Sequence, residues 1–260
     1  MFDRMTELLQ RIDAPHSPLR PTALYNEGWL LKLVLDWCSA RAPLSHPFAF
    51  FPNARWFSEA LLPSHFLATS RGDALAESWT HTDGTIGHVQ VGTMGKPDLH
   101  LEKDATQLVV VEAKMFSGLS AGTKTAPGFD QAARTVACMA ELLARAERHP
   151  DKLQRLAFYV VAPAEQIERK VFGDLVKKES IHKKVAARVQ AYEGRHNEWF
   201  HCWFEPTLAR TRVDILPWEW VLPRSQEYRS FYENCLKYNR ELKTGHPLET
   251  SSLTLDVTPE

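Results

Sequence analysis

Asp98, Glu112 and Lys114 are the residues whose types and spacing best suit chemistry. Side chains alternate along a strand, so Glu112 and Lys114 share a face while Ala113 points away. A hairpin between 97–102 and 108–114 is predicted to set Asp98 beside Glu112, bringing two carboxylates and an ammonium to one end of a sheet. Glu112 directly continues the apolar run Leu108-Val109-Val110-Val111. Charges in such a place are seldom buried unless they are paired or hold a cation. Neighbouring carboxylates repel until a cation joins them, and hard oxygen ligands favour Mg²⁺ or Mn²⁺ over zinc. A bound divalent ion lowers the pKa of its water and polarises a phosphoryl oxygen. Lys114 would orient the attacking water or offset charge on the phosphorane. Plainer readings stand beside this one. Asp98 alone suits a turn after Pro97, and Glu112 with Lys114 suits an ion pair at a solvated strand end.

The elements that must position these residues follow from periodicity. Residues 2–12 suit a short amphipathic helix, followed by a proline-punctuated arm. Leu30, Leu31, Val34, Leu35 and Cys38 recur at helical spacing, predicting a helix over 24–40. Prolines break 41–80 into short pieces, among which the run from Trp56 reads as a helical turn or two. Three strands are predicted at 86–91, 97–102 and 108–114, with turns at 92–97 and 102–105. A Gly- and Ser-rich loop then leads to a small-residue helix over 129–148. A buried strand at 155–163, helices at 164–178 and 180–192, a strand at 212–216 and a helix at 226–241 complete the order. The fold class expected is α/β, a mixed central sheet flanked by helices. The expected organisation is an N-terminal helix and arm (1–23), one domain (24–245) with a helical insertion at about 164–200, and a disordered tail (246–260).

Pro97-Asp98 followed by Glu112-Ala113-Lys114 resembles the signature of the PD-(D/E)XK nuclease superfamily, which includes many restriction endonucleases and archaeal Holliday-junction resolvases. The resemblance implies a restriction-endonuclease-like fold, with the motif on a hairpin of a four-stranded mixed sheet. It further implies one or two Mg²⁺ ions and hydrolysis of nucleic-acid phosphodiesters. Carried over residue by residue, Asp98 and Glu112 become metal ligands, the Ala113 carbonyl a third, and Lys114 the positioning or stabilising cation. Glu27, on the upstream helix, matches an additional metal-binding acid, with a plain helix-terminal acid as its alternative. Gln131 resembles a glutamine of the resolvase-like branches and would hold Lys114 or a phosphate; a simple first-turn residue is the other reading.

Lysine and arginine number 31 against 32 acids, for a net charge of −1, so no global basic field announces a nucleic-acid partner. The loop 117–128, with Ser117, Ser120 and Lys124, is read as able to touch a phosphate backbone. The basic run Arg169, Lys170, Lys177, Lys178, Lys183, Lys184 and Arg188 is read as a solvated helical face, with a phosphate-tracking surface as its alternative. Trp218 and Trp220 are read as core packing. Four scattered cysteines and a charged N-terminus suggest a cytoplasmic protein. The expected partner is nucleic acid, DNA ahead of RNA, in defence, mobile-element biology or repair. A homodimer is expected if both strands are cut, and a protein partner if specificity is supplied from outside. The competing function is an inactive nucleic-acid-binding or protein-interaction module on the same fold.

Overall fold

The computed structural model describes residues 1–68, 71–92, 98–123 and 125–244, the side chains of 241–244 excepted. The elements in chain order are α1 (Phe2–Gln10), α2 (Glu27–Arg41), β1 (Arg55–Phe57), β2 (Ala60–Leu62), β3 (Thr80–Thr82), β4 (Gly84–Gly87), β5 (Val89–Val91), β6 (Leu99–Leu101) and β7 (Gln107–Ala113). There follow β8 (Gly122–Thr123), β9 (Ala126–Pro127), α3 (Gln131–Arg145), β10 (Arg155–Ala162), α4 (Ala164–Glu168), α5 (Lys178–Gln190), α6 (Asn197–Trp199), α7 (Glu205–Arg210), β11 (Arg212–Pro217), α8 (Trp218–Val221) and α9 (Gln226–Thr244). The predicted tail after His246 and the turn residues 93–97, including Pro97, lie outside the described residues.

A five-stranded mixed sheet in the order β1-β4-β7-β10-β11 is the centre of the fold. β4 runs antiparallel to β1 and β7, whereas β7, β10 and β11 run parallel. Parallel neighbours need long crossovers, and α3 supplies the one between β7 and β10. β7 is buried along its whole length, as its uninterrupted apolar run requires of a central strand covered on both faces. Val109 and Val111 pack with Leu30, Leu31, Val34 and Leu35 of α2. Leu108 and Val110 face the opposite way, into the core built with Ala132, Ala133, Val136 and Ala140 of α3.

Each of these helices is started by a side-chain cap. Asn26 Oδ1 accepts the amide of Trp29 at 2.9 Å, and Asp130 Oδ1 accepts that of Ala133 at 2.9 Å. Such caps satisfy donors that the first helical turn leaves unpaired. Among the described residues, no helix is long and apolar enough to cross a membrane.

Three sequence expectations are corrected. The run from Trp56 is not helical: it forms β1 and β2, with Glu59 turning the chain between them at φ 57°. A short apolar run carries too little periodicity to separate helix from strand. The helix expected over 164–178 stops at Glu168, because Lys170 (φ 55°) and Gly173 (φ 48°) take left-handed conformations that a right-handed helix does not admit. Finally, 97–102 and 108–114 do not pair. β6 pairs with β5, while the antiparallel partner of β7 is β4.

Two glycines let β4 pack closely, one under α2 and one beside β7. A Cβ at Gly84 would lie 2.9 Å from Leu31 Cδ2 and 3.0 Å from Leu35 Cδ1, so the absence of a side chain lets α2 close on the sheet. A Cβ at Gly87 would lie 2.3 Å from the Gln107 carbonyl oxygen, a backbone atom of the adjoining strand. Gly84→Ala meets movable side-chain ends and is expected to cost about 1–3 kcal/mol, the range for overpacking. Gly87→Ala must displace a paired strand and is expected to cost more. Denaturant midpoints of the two variants check the order, and equal losses would contradict the close approach at Gly87.

Candidate active site

β7 delivers Glu112 and Lys114 to the carboxyl end of the central sheet. The register Gly84↔Val111, extended by one residue, sets Asp83 opposite Glu112. Residues directly opposed across an antiparallel pair project from the same face, about 5 Å apart at Cβ. Thr82 Oγ1 donates to the Gly84 carbonyl at 2.9 Å, fixing the bend that carries the chain from β3 into β4. Asp83 Oδ2 accepts the Ala113 amide at 2.8 Å. The carboxylate facing Glu112 is therefore Asp83.

Asp98 is elsewhere. It adjoins β6, bridges to Leu61 of β2, and pairs its carboxylate with His100 Nε2 at 2.9 Å. The expectation that Asp98 stands beside Glu112 is corrected by the strand pairing. β6 and β7, though consecutive, do not pair, because β5 and β6 leave the central sheet as a ribbon of their own.

Glu112 is 3% exposed. Its Oε1 accepts from Lys114 Nζ at 2.6 Å and from Gln131 Nε2. The Lys114 side chain is itself only 12% exposed, and Trp218 Nε1 donates to the Lys114 carbonyl at 3.0 Å. Trp218 is fully buried, so it is core, as expected, and also a strut beneath the lysine. Trp220 is corrected: it is largely exposed on the one-turn helix α8. Burial is the main reason the Glu112 carboxyl is held above the ordinary carboxylate range. The charge of Asp83 pushes it the same way and Lys114 opposes both.

Gln131 is the first residue of α3. Its amide donates to the Ser120 carbonyl at 2.9 Å, and its Oε1 accepts the Ser120 amide at 3.2 Å. It therefore couples the Ser-rich loop to the Glu112 carboxylate, and Glu112, not Lys114, is the side chain it holds. Glu27 lies in the first turn of α2, half-buried. Burial first, and then the charge of Asp83, raises its pKa, while Lys114 and a backbone hydrogen bond lower it. The structure thus brings Asp83, Glu112, Lys114 and Gln131 together at one end of the sheet, with Glu27 near enough to feel the charges of Asp83 and Lys114.

Among the described residues, no three His, Cys, Asp or Glu side chains converge as a ready-made metal cage. The donors present are oxygens: the facing Asp83 and Glu112 carboxylates, with Glu27 near Asp83. Two facing carboxylates repel until a cation joins them, and all-oxygen donors suit Mg²⁺ or Mn²⁺. The residues fit such an ion, with Asp83 in the place expected of Asp98. Asp83 was legible only as the start of Asp83-Gly84, a dipeptide of turn type. Its position becomes visible once β4 is known to begin there.

No protein-family model, curated protein or solved structure matches the chain.

Proposed function

We propose that this protein is a metal-dependent nuclease of restriction-endonuclease-like type, hydrolysing phosphodiester bonds, with DNA as the first substrate to test. The observation that carries the reading is Asp83 opposed to Glu112 across β4 and β7, with Lys114 two residues on and on the same face. An acid on one strand and acid-x-lysine on its neighbour is the arrangement the resemblance describes, supplied here by residues 83, 112 and 114. The mixed order β4-β7-β10-β11 with a helix on each face is consistent with it.

In this mechanism Asp83 and Glu112 would hold the cation, with the Ala113 carbonyl and Glu27 as further oxygen donors. The ion, when bound, activates a water and neutralises charge on the phosphoryl oxygens. Lys114 places its ammonium over the same face, where it orients the nucleophile and offsets developing negative charge. Gln131 keeps the Glu112 carboxylate in one orientation, so the ligand needs no reorganisation when substrate arrives. One such site per chain cuts one strand, so a double-strand break calls for two copies or two encounters.

The test is incubation of the purified protein with linear, circular and single-stranded DNA and with RNA, in Mg²⁺, Mn²⁺ or EDTA, beside Glu112→Ala. The expected result is cleavage that requires the metal and is lost in the variant. Calorimetric titration of Mg²⁺ and Mn²⁺ supplies the second readout. Absence of both cleavage and metal binding would favour an interaction module in which the acids are structural.

A further inference from the structure

A cavity of about 610 Å³ lies between α5 and the segment 125–129. Its wall includes Lys183, Lys184, Arg188, Ser180, Thr125 and Phe129. The cavity adjoins the candidate active site through consecutive residues. Phe129 lines it, Asp130 is ion-paired to Lys184, and Gln131 reaches Glu112.

Arg188 is the informative member. The residue is 5% exposed, yet among the described residues no carboxylate lies within ion-pair distance of its guanidinium. The group is held by the Leu75 and Thr125 carbonyls and by the faces of Phe66, Phe129 and Tyr192, with centroids 5.3, 5.9 and 5.2 Å away. Its buried Nε has no hydrogen-bond partner among the described residues. Glu77 lies near enough to feel the charge but does not contact it. A desolvated cation without an anionic contact is costly to a folded chain, and an anion entering the adjacent cavity would offset that cost. Lys183 is exposed at the rim, and Lys184 is answered by Asp130.

We infer that this cavity holds backbone phosphates of the substrate strand next to the scissile bond, with Arg188 as the inner anchor and Lys183 as the outer one. The inference rests on the nuclease reading and extends it. It assigns part of the basic run on α5, which the sequence alone reads as a solvated face, to the substrate path. Contacts of this kind set position and affinity without reading sequence.

The test is binding of fluorescein-labelled single-stranded and duplex DNA in EDTA, followed by anisotropy over a salt series. Ala187 also lines the cavity and is exposed on α5, so its charge can be set without disturbing the core. Ala187→Glu is expected to weaken binding about tenfold at low salt, and Ala187→Lys to preserve or tighten it. Lys183→Ala should reduce the salt slope by about one. Lys152→Glu, beyond the opposite end of the sheet, serves as the control and should bind as wild type does. If the wild type binds and cleaves but all variants match it, the phosphate track is wrong and the nuclease reading stands. Equal loss in Ala187→Glu and Ala187→Lys would show that bulk alone matters and would also overturn the track. A wild type that neither binds nor cleaves would overturn both.

Discussion

Asp83→Asn is expected to reduce metal-dependent cleavage by at least about 10²-fold, the scale on which removal of a single site group acts, whereas Asp98→Asn should leave it within about threefold. The contrast follows from strand pairing. Asp83 faces Glu112 in register and accepts the Ala113 amide, while Asp98 is paired with His100 on a separate ribbon. Asparagine keeps the shape of aspartate and one acceptor oxygen for that amide, so the fold is retained while the negative charge a cation needs is removed. The two variants share one substitution type and differ only in place. Cleavage rates at saturating Mg²⁺, with Mg²⁺ affinity by calorimetry, separate them. Loss of activity in Asp98→Asn with retention in Asp83→Asn would restore the hairpin that the sequence spacing suggested and overturn the pairing of β4 with β7.

That contrast also marks where the sequence stopped being legible. Glu112, Ala113 and Lys114 were readable because a long apolar run ending in acid-x-lysine is a strong local pattern, and strand alternation settles which side chains share a face. Glu27 and Gln131 were readable as the openings of two well-capped helices. Pairing is a different kind of information. It is set by contacts between residues far apart in the chain, and the local pattern offered only Asp98. Gly84 under Leu31 and Leu35, and Gly87 against the Gln107 carbonyl, leave β4 room beneath α2 and beside β7. Arg188 was read with its helix as part of a solvated face for a similar reason. A basic helix looks solvated in sequence, and only the packing of Phe66, Phe129 and Tyr192 around one of its cations takes that residue out of water.

Lys114→Met is expected to cut turnover by at least about 10²-fold while metal affinity is held or improved. Methionine approximates the length and volume of lysine, so the nearly buried stem keeps its packing. What disappears is the ammonium 2.6 Å from Glu112 Oε1. In the metal-free protein that ammonium is the counter-charge of a carboxylate that is 3% exposed. It therefore competes with an incoming cation for the same ligand, and its removal relieves the competition. In the reaction, by contrast, Lys114 is the cation that contacts Glu112 among the described residues. Arg188 belongs to the adjacent cavity, and Gln131 is neutral and already engaged with Glu112. Without metal the variant should be less stable, because the buried Glu112 carboxyl has lost a hydrogen-bond partner. With saturating Mg²⁺ much of that loss should be recovered. Denaturant midpoints with and without Mg²⁺, measured beside calorimetric affinity and single-turnover cleavage, check the three parts together. A variant that loses metal binding along with turnover would make Lys114 a structural support for the ligand set, and one that keeps full turnover would remove it from the chemistry.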